Sequence, residues 1–312
     1  MSLGEGDKMG LYTSLNLKDL DYTSSLTPDT GVNLDPLECP DLYQIDLDGD
    51  FKGHTWILAA GAKGSTVYWF GKWDGKGFTA TDAEPQLMDN GPDFYATVSW
   101  TNPKNADIYG SRYAIAWMNN WEYANSVPYY GDFAGQTSMV REVKLQTIKY
   151  TPTLASKPIV GYGGILAPPN ADLTDDAYVI CATISKTNDS SDGNEVRFRI
   201  KTDGSFSTTI GYNFNQSQAI LVRNSDGSAT ESMPSDPKKA YDAVATAPNP
   251  SGSNTVKLEI YVDSNSVEVF VDDSVVVLSG LDYPNKAAEG VQDVSDTGSL
   301  TLVSFSYAAY KA

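Results

Sequence analysis

"TVKLEIYVDSNSVEVFVDDSVVVLSG", residues 255–280, carries its fold class in its spacing. Val256, Leu258, Ile260 and Val262 alternate with Lys257, Glu259 and Tyr261. After the turn Asp263-Ser264-Asn265-Ser266, the residues Val267, Val269 and Val271 resume the same period of two. Successive side chains of a strand point to opposite faces, so the stretch predicts a meander with one face on a core. Such meanders build β-sandwiches. "AYVICATIS" at 177–185, "EVRFRIKT" at 195–202 and "FSTTIGY" at 206–212 share the pattern, and "LTLVSFSYAAY" at 300–310 supplies a closing strand. Residues 166–312 are therefore expected to form a sandwich module.

Ahead of it the strands shorten. "DLYQIDL", "HTWILAAG", "TVYWFGKW", "YATVSW", "RYAIAWM" and "SMVREVKLQ" are rich in aromatic and β-branched residues and separated by turn signals. Asp74-Gly75 marks a hairpin turn inside "STVYWFGKWDGKGF". Units of this size make propeller blades, and periodicity alone leaves propeller and sandwich equal for residues 1–150. The Pro/Gly-rich stretch 151–165 reads as a linker.

Composition narrows the function classes. The 312 residues carry 40 acidic and 22 basic side chains, a net charge of −18, which repels phosphate backbones and anionic lipid. No nucleic-acid or membrane partner is expected, and no run approaches the length of a membrane span. The start, "MSLGEGDKMG", lacks the basic and apolar regions of a signal peptide. One histidine and two cysteines argue against a histidine-based zinc site, a histidine-dependent triad or a disulfide framework. His54 reads as a strand-start or turn residue. "DLDGD" at 46–50 has Ile57 where a calcium loop needs glutamate, so it reads as a polar hairpin tip. No metal or cofactor is expected, and hydrolytic chemistry must rest on carboxylates.

Three stretches offer such chemistry. In "PLECPDLYQI", 36–45, Pro40 is expected to hold Cys39 extended, packing it inward as a small apolar filler and projecting Glu38 the other way at a rigid point. Rigid presentation suits a general acid, although the tripeptide by itself reads first as an ordinary structural glutamate at a strand start. In "MDNGPDFYATVSW", 88–100, Asp93 and Tyr95 are expected to share a face, which suits the lining of a cleft; for this segment and the next, taken alone, an aromatic core with satisfied polar groups is the stronger reading. In "RYAIAWMNNWEYANSVP", 112–128, Trp117 and Asn119 share a face, an aromatic surface beside an amide of the kind that binds sugar hydroxyls.

In this order, ECPDL, the DFYA motif, W-M-N-N-W-x-YA-N-x-x-P and "SMVREVKL" resemble glycoside hydrolase family 32, with its levanase, exo-inulinase and invertase members. "YVDSNSVEVFVDD" looks like that family's C-terminal module. The resemblance runs from about residue 8 to the end. It implies an all-β chain, part of a five-bladed β-propeller followed by a β-sandwich, acting on β-fructosides such as levan, inulin or sucrose by a retaining mechanism. Glu38 matches the family's acid/base, with Cys39 and Pro40 supporting it. Asp93, Tyr95 and Trp117, with Asn119, fall in motifs that line or support the fructose pocket.

The family's nucleophile motif, WMNDPNG, and its RDP motif are not in these residues: the Asp-Pro pairs are Asp35-Pro36 and Asp236-Pro237, neither preceded by arginine. The chain is thus expected to begin near the third blade, to be inactive alone, and to meet either a second copy or a missing N-terminal half. Alternatives are a non-catalytic fructan-binding protein and a purely structural remnant.

Overall fold

The computed structural model describes residues 1–26, 34–49, 54–101, 108–127, 135–159, 165–166, 177–187, 194–203, 206–224, 230–284, 289–293 and 300–311. Its elements are strands apart from one described helix, Ser235–Tyr241, and no described helix is long and apolar enough to cross a membrane.

Three antiparallel sheets form the propeller part. Ser2–Gly4, Met9–Thr13 and Asp21–Leu26 make the first. The second runs Leu37–Asp46, His54–Ala62, Ser65–Trp73, with Phe78–Ala80 and Gln86–Leu87 sharing the outer side of Ser65–Trp73. The third runs Tyr95–Thr101, Arg112–Met118, Arg141–Ile148, Thr151–Pro158, with Gln136–Thr137 beside Arg112–Met118. Period-two alternation explains how they stack. Within His54–Ala62, Leu58, Ala60 and Ala62 pack towards Met9 and Leu11 of the first sheet. The intervening Ile57 and Ala59 pack with Phe94, Ala114 and Val143 of the third. A strand buried on both faces needs the nearly continuous apolar run this one has.

Several expected details hold. His54 opens a strand, paired across to Asp46 and stacked on Tyr109 at 4.1 Å. Asp74 accepts the N–H groups of Lys76 and Gly77, both at 2.8 Å, and Gly75 takes φ +92°. The tip after Asp46 is polar, and Asp48 binds the backbone N–H and hydroxyl of Thr147 at 2.7 and 2.6 Å; Asp50 lies outside the described residues.

The linker expectation is corrected. Thr151–Pro158 is a strand that pairs with Arg141–Ile148 through eight consecutive positions. Its two prolines are compatible because it is the last strand of its sheet, where a missing N–H leaves no ladder bond unmade. Residues 160–164 lie outside the described residues.

The sandwich has a six-stranded sheet, ordered Ile165–Leu166, Leu300–Lys311, Tyr178–Lys186, Thr255–Asp263, Ser266–Val271, Val276–Leu281. It faces a five-stranded sheet, ordered Ala245–Pro248, Gln218–Arg223, Phe206–Asn213, Glu195–Asp203, Glu289–Asp293. Val256, Leu258, Ile260, Val262, Val267, Val269 and Val271 all enter the core between them. One feature exceeds the sequence reading: Ser266–Val271 and Val276–Leu281 are buried on both faces. The propeller covers the second face, where Met118, Tyr123 and Val127 pack with Tyr241, Leu281 and Tyr283.

Candidate active site

Glu38 stands at the start of its strand, opposite Gly61, and the ladder then breaks until Asp41 pairs with Ala59. This is a β-bulge, a device that re-aims a side chain by leaving residues unpaired. Cys39 occupies it at φ +49° and is exposed. The extended, inward-packed Cys39 expected from sequence is therefore corrected: the pre-proline preference for extended backbone yields to the bulge. Glu38 and Cys39 line a cleft of about 470 Å³ together with Pro40, Pro36 and the first strand, whose Ser2 hydroxyl donates to the Pro40 carbonyl at 2.7 Å.

Tyr95 reaches Glu38 from the neighbouring sheet. Its hydroxyl donates to Glu38 Oε2 at 2.6 Å. The phenol is pushed well above its ordinary value, first by burial and then by this carboxylate, so it acts as a donor. Gly61 makes room for the ring: a Cβ there would lie 3.0 Å from Tyr95 Cζ. Trp117, the cross-strand partner of Tyr95, meets it edge to face at 6.4 Å, and Trp121 lies 5.0 Å beyond, 58% exposed. One carboxylate, one phenol and two indoles thus follow one another in contact, and of these Glu38 lines the cleft.

The other two sequence candidates are placed elsewhere. Asp93 is fully buried and faces the sandwich, not the cleft. Its carboxylate accepts from Arg223 Nη1 at 2.7 Å, from the Leu281 N–H at 2.8 Å and from the Tyr123 hydroxyl at 2.6 Å. The alternation that put Asp93 and Tyr95 on one face fails because residues 89–93 are irregular and the strand begins only at Tyr95. Asn119 is buried too: its Oδ1 accepts the Asn120 N–H at 2.9 Å, and its amide lies close over Gly135. Both residues shape the segments that carry Tyr95 and Trp117. Pro128, the last position of that motif, lies outside the described residues.

Sequence reasoning missed the arginines that organise these segments. Arg141, buried, donates to Asp89 Oδ2 at 2.7 Å and to Glu268 Oε2 and the Ser279 hydroxyl at 2.5 and 2.6 Å, with its guanidinium 4.1 Å over the Phe94 ring. A signal existed. Arg141, Val143 and Leu145 share the inward phase of their strand, as do Ala219, Leu221 and Arg223, and a charged residue in an inward phase demands a buried partner.

The Cys39 thiol offers a local probe. Although the residue presents an exposed face, its thiol is partly desolvated, which raises its pKa first, and the Glu38 carboxylate raises it second. In a Cys181→Ser background at about pH 8, Cys39 is expected to react with a disulfide reagent more slowly than a free thiol. Glu38→Gln is expected to accelerate it by less than about tenfold, because burial remains. An unchanged rate would show that Glu38 does not act on the thiol.

Comparison with known proteins identifies the family. The model of the "Glycosyl hydrolases family 32 N-terminal domain" matches residues 1–158, and that of "Glycosyl hydrolases family 32 C terminal" matches 138–309. The chain is similar to a levanbiose-producing levanase of Bacillus subtilis (strain 168), 33% identical over 322 residues, covering 97% of this chain and 60% of the relative. A levanbiose-producing levanase of Geobacillus stearothermophilus is 43% identical over 169 residues, 51% of this chain and 41% of the relative. Among solved structures, the exo-inulinase of Aspergillus awamori superposes with TM-score 0.79 at 25% identity, over 99% of this chain and 63% of the other. A β-fructofuranosidase of Schwanniomyces occidentalis, solved with fructosyl-erythritol, shares the fold at TM-score 0.81. The chain therefore spans less than two thirds of the length of these curated relatives.

Proposed function

Because the chain belongs to glycosyl hydrolase family 32, we propose that it is the acid/base-bearing part of an enzyme that hydrolyses β-fructosides of the levan, inulin or sucrose type. The observation that carries this is the Tyr95–Glu38 hydrogen bond, 2.6 Å, at the wall of an open cleft. In a retaining hydrolysis, protonated Glu38 gives its proton to the glycosidic oxygen as an aspartate attacks the anomeric carbon. Glu38, now a carboxylate, then takes a proton from the water that releases the fructose. Tyr95 holds one oxygen of Glu38 and leaves the other for that proton. Trp117 supports Tyr95 and presents an indole edge beside the sugar.

Binding tests the reading directly. The polypeptide is expected to bind levan-derived oligosaccharides, and Trp117→Ala to weaken binding by about 0.5–1.5 kcal/mol, roughly two- to twelvefold. Calorimetric titration checks it, and a wild-type chain that binds no fructoside sinks the proposal. Binding without turnover even after in-frame joining to a segment bearing the family's aspartate motifs favours the non-catalytic fructan-binding alternative.

A further inference from the structure

We infer that the β-sandwich positions the proton-transfer pair, through a clamp in which Arg223 and the strand Val276–Leu281 hold the segment 89–93 that leads into Tyr95. The inference rests on Glu38 being the acid/base.

The contacts form one continuous path. The Asn90 N–H donates to the Val277 carbonyl at 2.8 Å and the Asp93 N–H to the Ser279 carbonyl at 3.1 Å. The Ser279 N–H donates to Asp89 Oδ1 at 2.9 Å, and its hydroxyl to Asp89 Oδ2 at 2.8 Å. The propeller segment is thus laid along the edge of the sandwich sheet as an added strand would be. Gly91 sits so close that a Cβ would lie 2.0 Å from the Ser279 nitrogen. At the end of the path, Asp93 accepts from Arg223, Leu281 and Tyr123, while Arg223 also donates to the Leu281 carbonyl at 2.9 Å.

One residue, Phe94, separates this anchor from Tyr95. The propeller holds this stretch too: Asn120 Nδ2 donates to the Pro92 carbonyl at 3.0 Å, Ser65 bridges to Phe94, the Thr66 hydroxyl lies 3.2 Å from the Phe94 carbonyl, and the Phe94 ring packs with Ile57 and Ala59. The sandwich holds positions 89, 90 and 93, and Arg141, itself bonded to Glu268 and Ser279 of the sandwich, lies over the Phe94 ring. A strand whose lead-in is fixed at so many successive points has little freedom to slide. Asp93, Arg223 and Gly91 are positioning residues acting through Tyr95.

The test reads Tyr95 itself, in the full chain labelled with carbon-13 at tyrosine Cζ, the resonance being assigned by its loss in Tyr95→Phe. Glu38→Gln is expected to move that resonance by altering its hydrogen-bond acceptor. Gly91→Ala and Arg223→Lys are expected to move it in the same sense, because each loosens the clamp without touching Glu38 or Tyr95. Ile184→Ala, a cavity in the sandwich core three strands away from Val276–Leu281, is expected to lower the melting temperature and leave Tyr95 in place. If Gly91→Ala does not fold, Arg223→Lys decides. A Tyr95 resonance unmoved in the folded clamp variants, or moved equally by Ile184→Ala, overturns the inference; so does one that ignores Glu38→Gln. Binding and hydrolysis of fructosides are measured separately, so this coupling and the proposed function can fail independently.

Discussion

The 312-residue polypeptide is expected to release no more reducing sugar from levan, inulin or sucrose than a blank. Retaining hydrolysis needs two carboxyl groups roughly 5–5.5 Å apart, one to attack and one to move the proton. Glu38 fills the second role in the proposed mechanism. The motifs that carry the family's attacking and sugar-binding aspartates do not occur between residues 1 and 312. Groups that act as a unit lose most of their effect together, and removing one typically costs on the order of four to six powers of ten in turnover. Glu38→Gln should accordingly change nothing in the polypeptide alone. Joined in frame to a segment bearing those motifs, the chain is expected to turn over, and Glu38→Gln then to lower the rate by about 10²–10⁴, the usual contribution of a positioned acid/base. Family-like turnover by the polypeptide alone would refute the assignment of roles, since the attacking group would have to be one of its own carboxylates.

What could be read from the sequence followed from regular backbone. Lys257–Val262 alternates because the strand is a strand, and Asp74-Gly75 turns because Asp accepts two successive N–H groups while Gly takes positive φ. Glu38, Tyr95 and Trp117 were legible as a group through motif order, and the structure joins them through contacts of 2.6 and 6.4 Å. Failures came where the backbone is irregular or a second surface intervenes. Cys39 sits in a bulge, so neighbour rules misplaced it. Asp93 precedes its strand, so face-sharing with Tyr95 did not apply. Thr151–Pro158 looks like a linker by composition and is a strand because Arg141–Ile148 offers it a free edge. The second buried face of Val276–Leu281 needed the propeller to be seen against it, which no local pattern encodes.

That interface also sets the largest expected stability effect. Arg223→Met is expected to destabilise the chain by about 3–5 kcal/mol, because it removes the cation from a buried pair and strands Asp93. Burial pushes the Asp93 carboxyl up, and Arg223, Tyr123 and the Leu281 N–H pull it back. Arg223 stays charged: burial opposes its guanidinium, and the oxygens of Tyr123 and Asp93 outweigh that. Without Arg223 only Tyr123 and the Leu281 N–H oppose the upward push on Asp93. A carboxyl whose folded pKa lies above its unfolded one binds its proton more tightly when folded, so stability falls as pH rises through that interval. The deficit of Arg223→Met relative to wild type should therefore shrink as pH is lowered from neutrality towards the ordinary carboxylate range. Adding Asp93→Asn, which removes the stranded charge, should recover part of the loss at neutral pH. By contrast Arg197, half exposed beside Glu195, should cost less than about 1 kcal/mol when replaced by methionine, as surface pairs do. Denaturant unfolding at several pH values measures all four. Equal losses at Arg223 and Arg197, or a deficit at Arg223 that grows in acid, would mean that the buried aspartate is not what the arginine holds.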